Sequence, residues 1–575
     1  MKPVVSSATL AVDFSMLEDY PLSKDRIGLF NSGLVPFSTY ERDERFFAES
    51  GASHLRIDLG WGAEWMPWSR EVVELRDGKA SYSFDETDSI ARVLERNGVT
   101  PYWSYCYAPV AAREPGQDWR HMAADNSVWV DTVRAYVIGA RQRGVRIGYH
   151  EVYNEPDLRD ERTAEPIFYA GDLEDYLDLY RQTALAIREA DPQARIGGPA
   201  LAAASVNGEW IRRFLAMVQE EQLPLDFLSF HHYGTFSVQK SIDTVLGILA
   251  EFDVFQQLEL HLNEYNSFVI DYPRGGPQDT HLLGAAFAAD LPRLLRVSPL
   301  TRVSWAQFLD SGHDNFSGMI DIEGAEKPLY RVYRLYQSMP VERRRVNITG
   351  PEGLGAIASS DGGRSAVLAW NRHSAGLELR VEVGAILERA RITLVGANGS
   401  PAAAQDIAIV DGAIVLTLER GAVVGIELGS EAAATTRRLA ERVNYSFVNR
   451  AASSWMDVDE ATAIIRFGTA DVDNAVLVGG VEVPVAALTE SHATVVFADG
   501  SSAPGSVMLR IDRTDPSRTT FIGENASTFD WSAHIPARAV PTGMARVTAA
   551  LIGAPAGAFA TVRVASSAGV VASVR

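Results

Sequence analysis

Residues 146–157, RIGYHEVYNEPD, decide the fold. A run of strand length, rich in apolar and aromatic side chains, ends in a polar cluster that Pro156 closes, because proline cannot donate to a ladder. Seven more segments share this character: RIGLFNSG (26–33), HLRIDLGW (54–61), TPYWSYCY (100–107), RIGGPAL (195–201), DFLSFHHYG (226–234), QLELHLNEYNS (257–267) and RVSWAQFLD (302–310). Between them lie longer stretches with helical spacing, among them 86–97 (ETDSIARVLERN), 128–143, 172–190, 209–221 and 327–338. Alternating β and α segments imply a parallel sheet with crossover helices. Eight such pairs in about 310 residues predict an α/β fold, a closed (β/α)8 TIM barrel over 17–340. The competing open, doubly wound sheet would carry a glycine-rich nucleotide turn after its first strand, and FNSGLVPF (30–37) is not G-x-G-x-x-G.

The pattern changes near Pro340. Helical periodicity gives way to short alternating runs split by turns: GLGAIASSDGGRSAVLAW (353–370), LELRVEV (377–383), RITLVGANGS (391–400), IAIVDGAIVLTLERG (407–421) and AVVGIEL (422–428). This predicts an antiparallel β-sandwich over 341–430, with hairpin turns at the Asp-Gly pairs 361–362 and 411–412. The opening ATLAVDFS (8–15) also alternates, so residues 1–16 are expected to add a strand to that sandwich. Residues 430–442 (SEAAATTRRLAER) read as a linker or short helix, and the β-patterned region 443–575 as a second sandwich-like accessory domain.

Composition narrows the partners. The chain of 575 residues is 46% hydrophobic and 22% charged, ordinary for a globular protein, and carries a net charge of −21. That balance argues against nucleic acid and anionic membranes as partners, since both demand clustered cations. A single cysteine, Cys106, excludes an intramolecular disulfide and a cysteine-rich zinc site, and it reads as a small core residue. No HExxH-type ligand helix is present, so neither a metal nor a cofactor is expected. The N-terminal residues lack the apolar core of a signal peptide, so the expected location is cytoplasmic. Self-association into a homo-oligomer is left open.

Three strand ends carry chemistry. Glu155 ends the fourth segment, where barrels deliver side chains to their C-terminal mouth, and Asn154 beside it offers an amide to a ligand hydroxyl. Glu264 closes the seventh segment. His231 and Tyr233, two apart on the sixth, share one strand face. Each alone reads equally as a satisfied polar strand end. Together they place two carboxylates around an His-x-Tyr pair. Two facing carboxylates are the minimum machinery for glycoside hydrolysis: one protonated to assist the leaving group, one ionised to attack or to activate water.

With EVYNEPDL (151–158), LNEYNS (262–267), the barrel-then-sandwich layout and MIDIEGAEKPLYRVYRLY (319–336), the chain resembles the clan A retaining glycosidases, and among them glycoside hydrolase family 39, the family of β-xylosidases, α-L-iduronidases and their relatives. The resemblance covers roughly residues 1–430. It implies that Glu155 is the acid/base, that Glu264 is the nucleophile, that Asn154 contacts the sugar 2-hydroxyl, and that His231 and Tyr233 line the site near the nucleophile. Such relatives often carry Arg-x-His at the end of the second strand. Here LRID (55–58) puts Asp58 where that histidine would stand. Asp58 either accepts bonds from vicinal sugar hydroxyls or pairs structurally with Arg56. Aromatic residues gather at strand ends (Trp61, Trp65, Trp68, Tyr102, Trp103, Tyr107, Trp305, Phe308), and sugar faces pack on such rings. Trp61 and Trp305 are expected to bind substrate, and Asp310 is a further candidate hydroxyl ligand. Glu151, two residues inside Tyr153, reads as a buried network partner. The expected function is a retaining, exo-acting hydrolase of short oligosaccharides or glycosides. The alternatives are a non-catalytic carbohydrate-binding protein, an endo-acting polysaccharide hydrolase, or a transglycosidase on the same barrel.

Overall fold

The computed structural model describes residues 6–428, apart from 64–65, 67–70, 161, 235–237, 268–278, 312–317, 362, 385–388 and 398–403, and the backbone of the strands between 448 and 574. The chain forms two compact units, Met1–Leu428 and Gly429–Arg575.

Eight parallel strands close into a barrel: Ile27–Asn31, His54–Asp58, Thr100–Tyr105, Tyr149–Val152, Ile196–Leu201, Phe227–Tyr233, Glu259–Asn266 and Leu300–Ala306, with the last strand paired back onto the first. They are nearly continuous runs of buried residues, as strands covered on both faces must be. The helices between them are amphipathic. Asp85–Arg96 buries Ile90, Ala91, Val93 and Leu94, and Leu173–Ala190 begins with a capping box formed by Asp172 and Asp175. The TIM barrel expected from the alternation is therefore present. Tyr102, Tyr149 and Phe227 fill part of the interior, with the His261 ring stacked on Phe227 at 4.2 Å between centroids. Among the described residues, no helix is long and apolar enough to cross a membrane.

A nine-stranded, mostly antiparallel sheet follows the barrel. Its order is Gln405–Ala408, Arg389–Val395, Val423–Leu428, Ser365–Asn371, Leu354–Ser360, Arg343–Thr349, Ser6–Leu17, Leu377–Glu382 and Ala413–Leu418. The N-terminal strand Ser6–Leu17 is inserted near one side of this sheet, antiparallel to Arg343–Thr349 and parallel to Leu377–Glu382. Alternation divides the strands' side chains between two cores. Val367 and Ala369 pack with Leu10, Leu379 and Ile426. Leu368 and Trp370 join Ile357 and Val423 in the same apolar core as the barrel. That shared core explains why barrel and sheet form one compact unit. The Asp411-Gly412 turn is present: both residues have positive φ, and Val410 and Ala413 exchange backbone hydrogen bonds across it. The pair at 361–362 includes Gly362, which lies outside the described residues.

The second unit contains a five-stranded and a six-stranded sheet, described at backbone level. The proposed linker 430–442 lies outside the described residues. Because the strand pairings of residues 6–428 close among themselves, a chain ending at Leu428 is expected to unfold cooperatively and to keep the near-ultraviolet circular dichroism of its buried tryptophans. A shortened chain without a cooperative transition would show that the first unit needs the second.

Candidate active site

Arg56 is the hub of the barrel mouth. It sits within the second strand, fully buried, above the Phe30 ring. Its Nε donates to Glu151 Oε2 (2.7 Å), Nη1 to Glu264 Oε1 (2.7 Å) and Nη2 to Asn154 Oδ1 (2.8 Å). Asp58, two residues along the same strand face, places Oδ1 3.0 Å from Nη1. On its other oxygen Glu151 accepts from Asn263 Nδ2 and from Tyr102 OH.

Glu155 lies three residues beyond the fourth strand. Tyr153 (φ 70°) and Glu155 (φ 44°) both occupy the left-handed region, which sharply redirects the chain. The turn is held because the Glu155 N–H donates to Ala200 O (3.0 Å), while the Asp157 carboxylate accepts from the backbone of Ala202 and Ala203 and from Asn207 Nδ2. Asn154 Nδ2 donates to Tyr107 OH (3.1 Å), so both ends of that amide are fixed.

Glu264 stands opposite His231 in the register of the seventh and sixth strands. Tyr233 OH donates to Glu264 Oε2 (2.7 Å), and His231 Nδ1 lies 2.7 Å from Glu155 Oε1 and 3.6 Å from Glu264 Oε1. Carboxyl oxygens of Glu155 and Glu264 come within 4.8 Å of each other, and the two residues are 7% and 5% exposed.

The electrostatics separate the two glutamates. Burial, with the charges of Glu264, Asp157 and Asp58, pushes the Glu155 carboxyl well above the usual carboxylate range. Burial also raises Glu264, to about 8, but Arg56 and the Tyr233 hydroxyl pull against it. Asp58 is raised to about 6 by burial against Arg56. Burial and then Arg56 depress His231 far below the ordinary imidazole value, so it is neutral at neutral pH. Burial and Glu264 keep the Tyr233 hydroxyl protonated, as a donor must be. Glu155, His231 and Glu264 lie close enough to offer ligand atoms to an ion. Arg56 donates to Glu264, and His231 engages Glu155.

The structure thus brings together Glu155, Glu264, Asn154, His231 and Tyr233. Asp58 joins them, only 4% exposed and ion-paired with Arg56. The two tryptophans need correction. Trp61, 2% exposed, packs among Phe84, Tyr105, Trp129 and Tyr136, behind the strands. Trp305 is in register with Tyr265, the neighbour of Glu264; strand alternation turns both outward, and Trp305 meets Phe287 of helix His281–Arg296 edge-on at 5.2 Å. Neither faces the mouth. Tyr102, Trp103, Tyr107, Phe308 and Cys106 are buried as well, though the Tyr107 hydroxyl reaches Asn154. Asp310 is engaged by Lys327 Nζ (3.2 Å). Trp65 and Trp68 lie outside the described residues. Sequence reasoning missed Arg56 as the hub and Asn263 altogether. The available signal was a charged residue inside a doubly covered strand, which is almost never buried without partners.

Fold and site define a TIM barrel with a buried pair of carboxyls at its C-terminal mouth. The chain belongs to the family described as Glycosyl hydrolases family 39, whose pattern it matches over residues 39–410, more than half its length. It is 24% identical over 332 residues to a β-xylosidase of Caldicellulosiruptor saccharolyticus (52% of this chain, 66% of the relative), and 27% identical over 249 residues to a β-xylosidase of Geobacillus stearothermophilus (38% and 47%). The matched stretches thus span about half to two thirds of those relatives' lengths. In fold it is similar to a family 39 β-xylosidase from Caulobacter crescentus, with a TM-score of 0.60 at 20% identity, covering 73% of this chain and 100% of that one.

Proposed function

We propose that this protein is a retaining, exo-acting glycoside hydrolase of the β-xylosidase kind, cleaving short oligosaccharides by double displacement. The observation that carries the reading is the unequal company of the two mouth glutamates. Glu264 receives hydrogen bonds from a guanidinium and a phenol, which favour its carboxylate. Glu155 is buried beside a neutral imidazole with no cation in contact among the described residues, which favours its acid form. Glu264 therefore attacks the anomeric carbon while Glu155 protonates the departing oxygen, and Glu155 then takes a proton from the water that releases the sugar. Asn154, locked by Arg56 and Tyr107, orients the ring through its 2-hydroxyl. The proximity of the two carboxyls also supports retention, since inverting pairs stand about 6.5–9.5 Å apart to admit a water.

A panel of aryl glycosides and disaccharides, with β-xylosides at its head, tests the substrate class. Proton NMR of the first-formed product should show the anomeric configuration of the substrate; an inverted first product would overturn the nucleophile assignment.

The pH profile follows from the same burial. Turnover needs Glu264 ionised and Glu155 protonated, and both sit above the ordinary carboxylate range. kcat/KM should therefore rise with pH as Glu264 loses its proton and fall at higher pH as Glu155 loses its own. Both limbs should lie above those of exposed carboxylates. A profile already falling between pH 5 and 6, chosen as roughly one unit above ordinary carboxyls, would contradict this ordering.

A further inference from the structure

One nitrogen in the barrel mouth faces two carboxylates. Arg56 Nη1 donates to Glu264 Oε1 (2.7 Å), and Asp58 Oδ1 lies 3.0 Å from the same nitrogen. The two oxygens are not served alike. Among the described residues Asp58 Oδ1 is buried and accepts no hydrogen bond. An oxygen at this distance but out of line with the hydrogens keeps only an ion-pair contact, which a small turn of either side chain would convert into a charge-assisted bond. Arg56 itself is fixed. Its Nε is held by Glu151 (2.7 Å) and its Nη2 by Asn154 (2.8 Å), it is fully buried, and a guanidinium keeps its proton. The chemistry at Glu264 gives the second contact its meaning. When the Glu264 carboxylate bonds to the anomeric carbon it becomes an ester, and its negative charge disappears. Arg56 stays positive and buried, and its Nη1 then faces a neutral, weaker acceptor.

We propose that Asp58 is the standby partner of Arg56: it takes the Nη1 hydrogen bond while the sugar is attached to Glu264 and yields it when the ester is cleaved. The proposal rests on Glu264 being the nucleophile. Asp58 acts through Arg56 and is a positioning residue. No bond forms to Asp58 and no proton leaves it. In the first step a Glu264 oxygen bonds to the anomeric carbon while the leaving oxygen departs with the Glu155 proton. In the second, the water oxygen bonds to that carbon, a water proton returns to Glu155, and Glu264 regains its charge. In the resting enzyme the charge of Asp58 also opposes that of Glu264, which limits how far Arg56 can quiet the nucleophile. Asp58 thus raises the free energy of the resting carboxylate and lowers that of the ester. Glu264 is faced by Arg56, Asp58, Tyr233, His231 and Glu155, and Asp58 by Arg56 and Glu151; replacing Asp58 leaves the other members of this set in place.

Asp58→Asn in the full chain keeps the shape and removes the charge, and the two half-reactions should then move in opposite directions. For an aryl glycoside that the enzyme accepts, kcat/KM reports formation of the ester and should fall by about tenfold or more, the scale of one charge-assisted hydrogen bond. Its acid limb should move to lower pH, because Glu264 loses a like charge beside it. The ester trapped with dinitrophenyl 2-deoxy-2-fluoro-β-xyloside should hydrolyse faster in Asp58→Asn than in the wild type, since the variant destabilises the ester more than the transition state that leads from it. A purely structural role for Asp58 would slow both steps. Release of the trapped sugar that is unchanged or slower, or an acid limb that stays or moves to higher pH, overturns the proposal. A crystal structure of the trapped wild-type enzyme tests it without any variant: Asp58 Oδ1 should lie in line with an Nη1 hydrogen at about 2.8 Å. Nη1 still directed at Glu264, with Asp58 unbonded, overturns the proposal even if Asp58→Asn does not fold. Sugar found on a residue other than Glu264 overturns the nucleophile assignment and the proposal with it, so the two failures are told apart.

Discussion

Glu264→Ala is expected to be inactive on every aryl glycoside of the accepted sugar, and Glu155→Ala is expected to be active again when azide is added. The difference follows from what each carboxyl must do. Without the nucleophile no glycosyl–enzyme bond forms, whatever the leaving group. Without the acid, a nitrophenolate still departs unaided, so the covalent intermediate forms. Its hydrolysis then lacks a base and should slow by about 10²–10⁴-fold. Azide needs no base and fits the volume left by the shortened side chain, so Glu155→Ala should yield a glycosyl azide of retained configuration. Any azide product of Glu264→Ala should be inverted. The opposite pattern would exchange the two roles, and unaffected turnover in both variants would place the active site elsewhere.

Arg56→Met should damage stability and catalysis together. Among the described residues Arg56 is the one cation in contact with Glu151, Glu264 and Asp58, and all four residues are buried. Removing one member of a buried ion network strands the charges it served, at a cost of about 3–5 kcal/mol. Methionine fills similar space, so the loss would reflect charge rather than volume. The same substitution deprives Glu264 of the donor that favours its carboxylate and Asn154 of the one that orients its amide. Activity near neutral pH should therefore fall by about 10²-fold or more, the scale set by losing one preorganised electrostatic contact. Arg56→Lys should recover little, because an ammonium cannot span three acceptors set in a planar fork. Urea titration and kcat/KM measured on the same preparations would reveal a variant that keeps both properties, and that result would remove Arg56 from the centre of the site.

The barrel was legible because parallel strands are buried on both faces and must be written in apolar residues, so all eight segments stand out between helical stretches. Glu155 and Glu264 were legible for a related reason: a carboxylate closing such a run has nowhere to go but the mouth. Tryptophans gave no such guidance. Trp305 and Trp61 suit a sugar face and a core equally well, and only the strand register, with Trp305 beside Tyr265, shows which side they take. Arg56 was hidden for the opposite reason. A lone arginine between Leu55 and Ile57 acquires meaning when Glu151, Asn154 and Glu264, up to 208 residues away, converge on it. Near 340 the last barrel helix, Pro328–Ser338, gives way to strand Arg343–Thr349; that one apolar core runs across this change through Leu368 and Trp370 was not legible, because alternation in a sandwich strand does not say what covers its outer face.

The strand Ser6–Leu17 leaves the ribosome ahead of the whole barrel, yet Thr9 pairs with Thr349 and Ser6 with Leu377. At typical elongation rates of 5–20 residues per second, roughly 20–70 s of synthesis separate the strand from its partners. Every barrel strand emerges in that interval, so the barrel can close while its leading segment is still an unpaired, alternating β-strand. Such a segment is an open edge that another nascent chain could occupy. Crowded polysomes therefore give this segment an opportunity for intermolecular strand exchange, and slow translation of the stretch before residue 343 would prolong it.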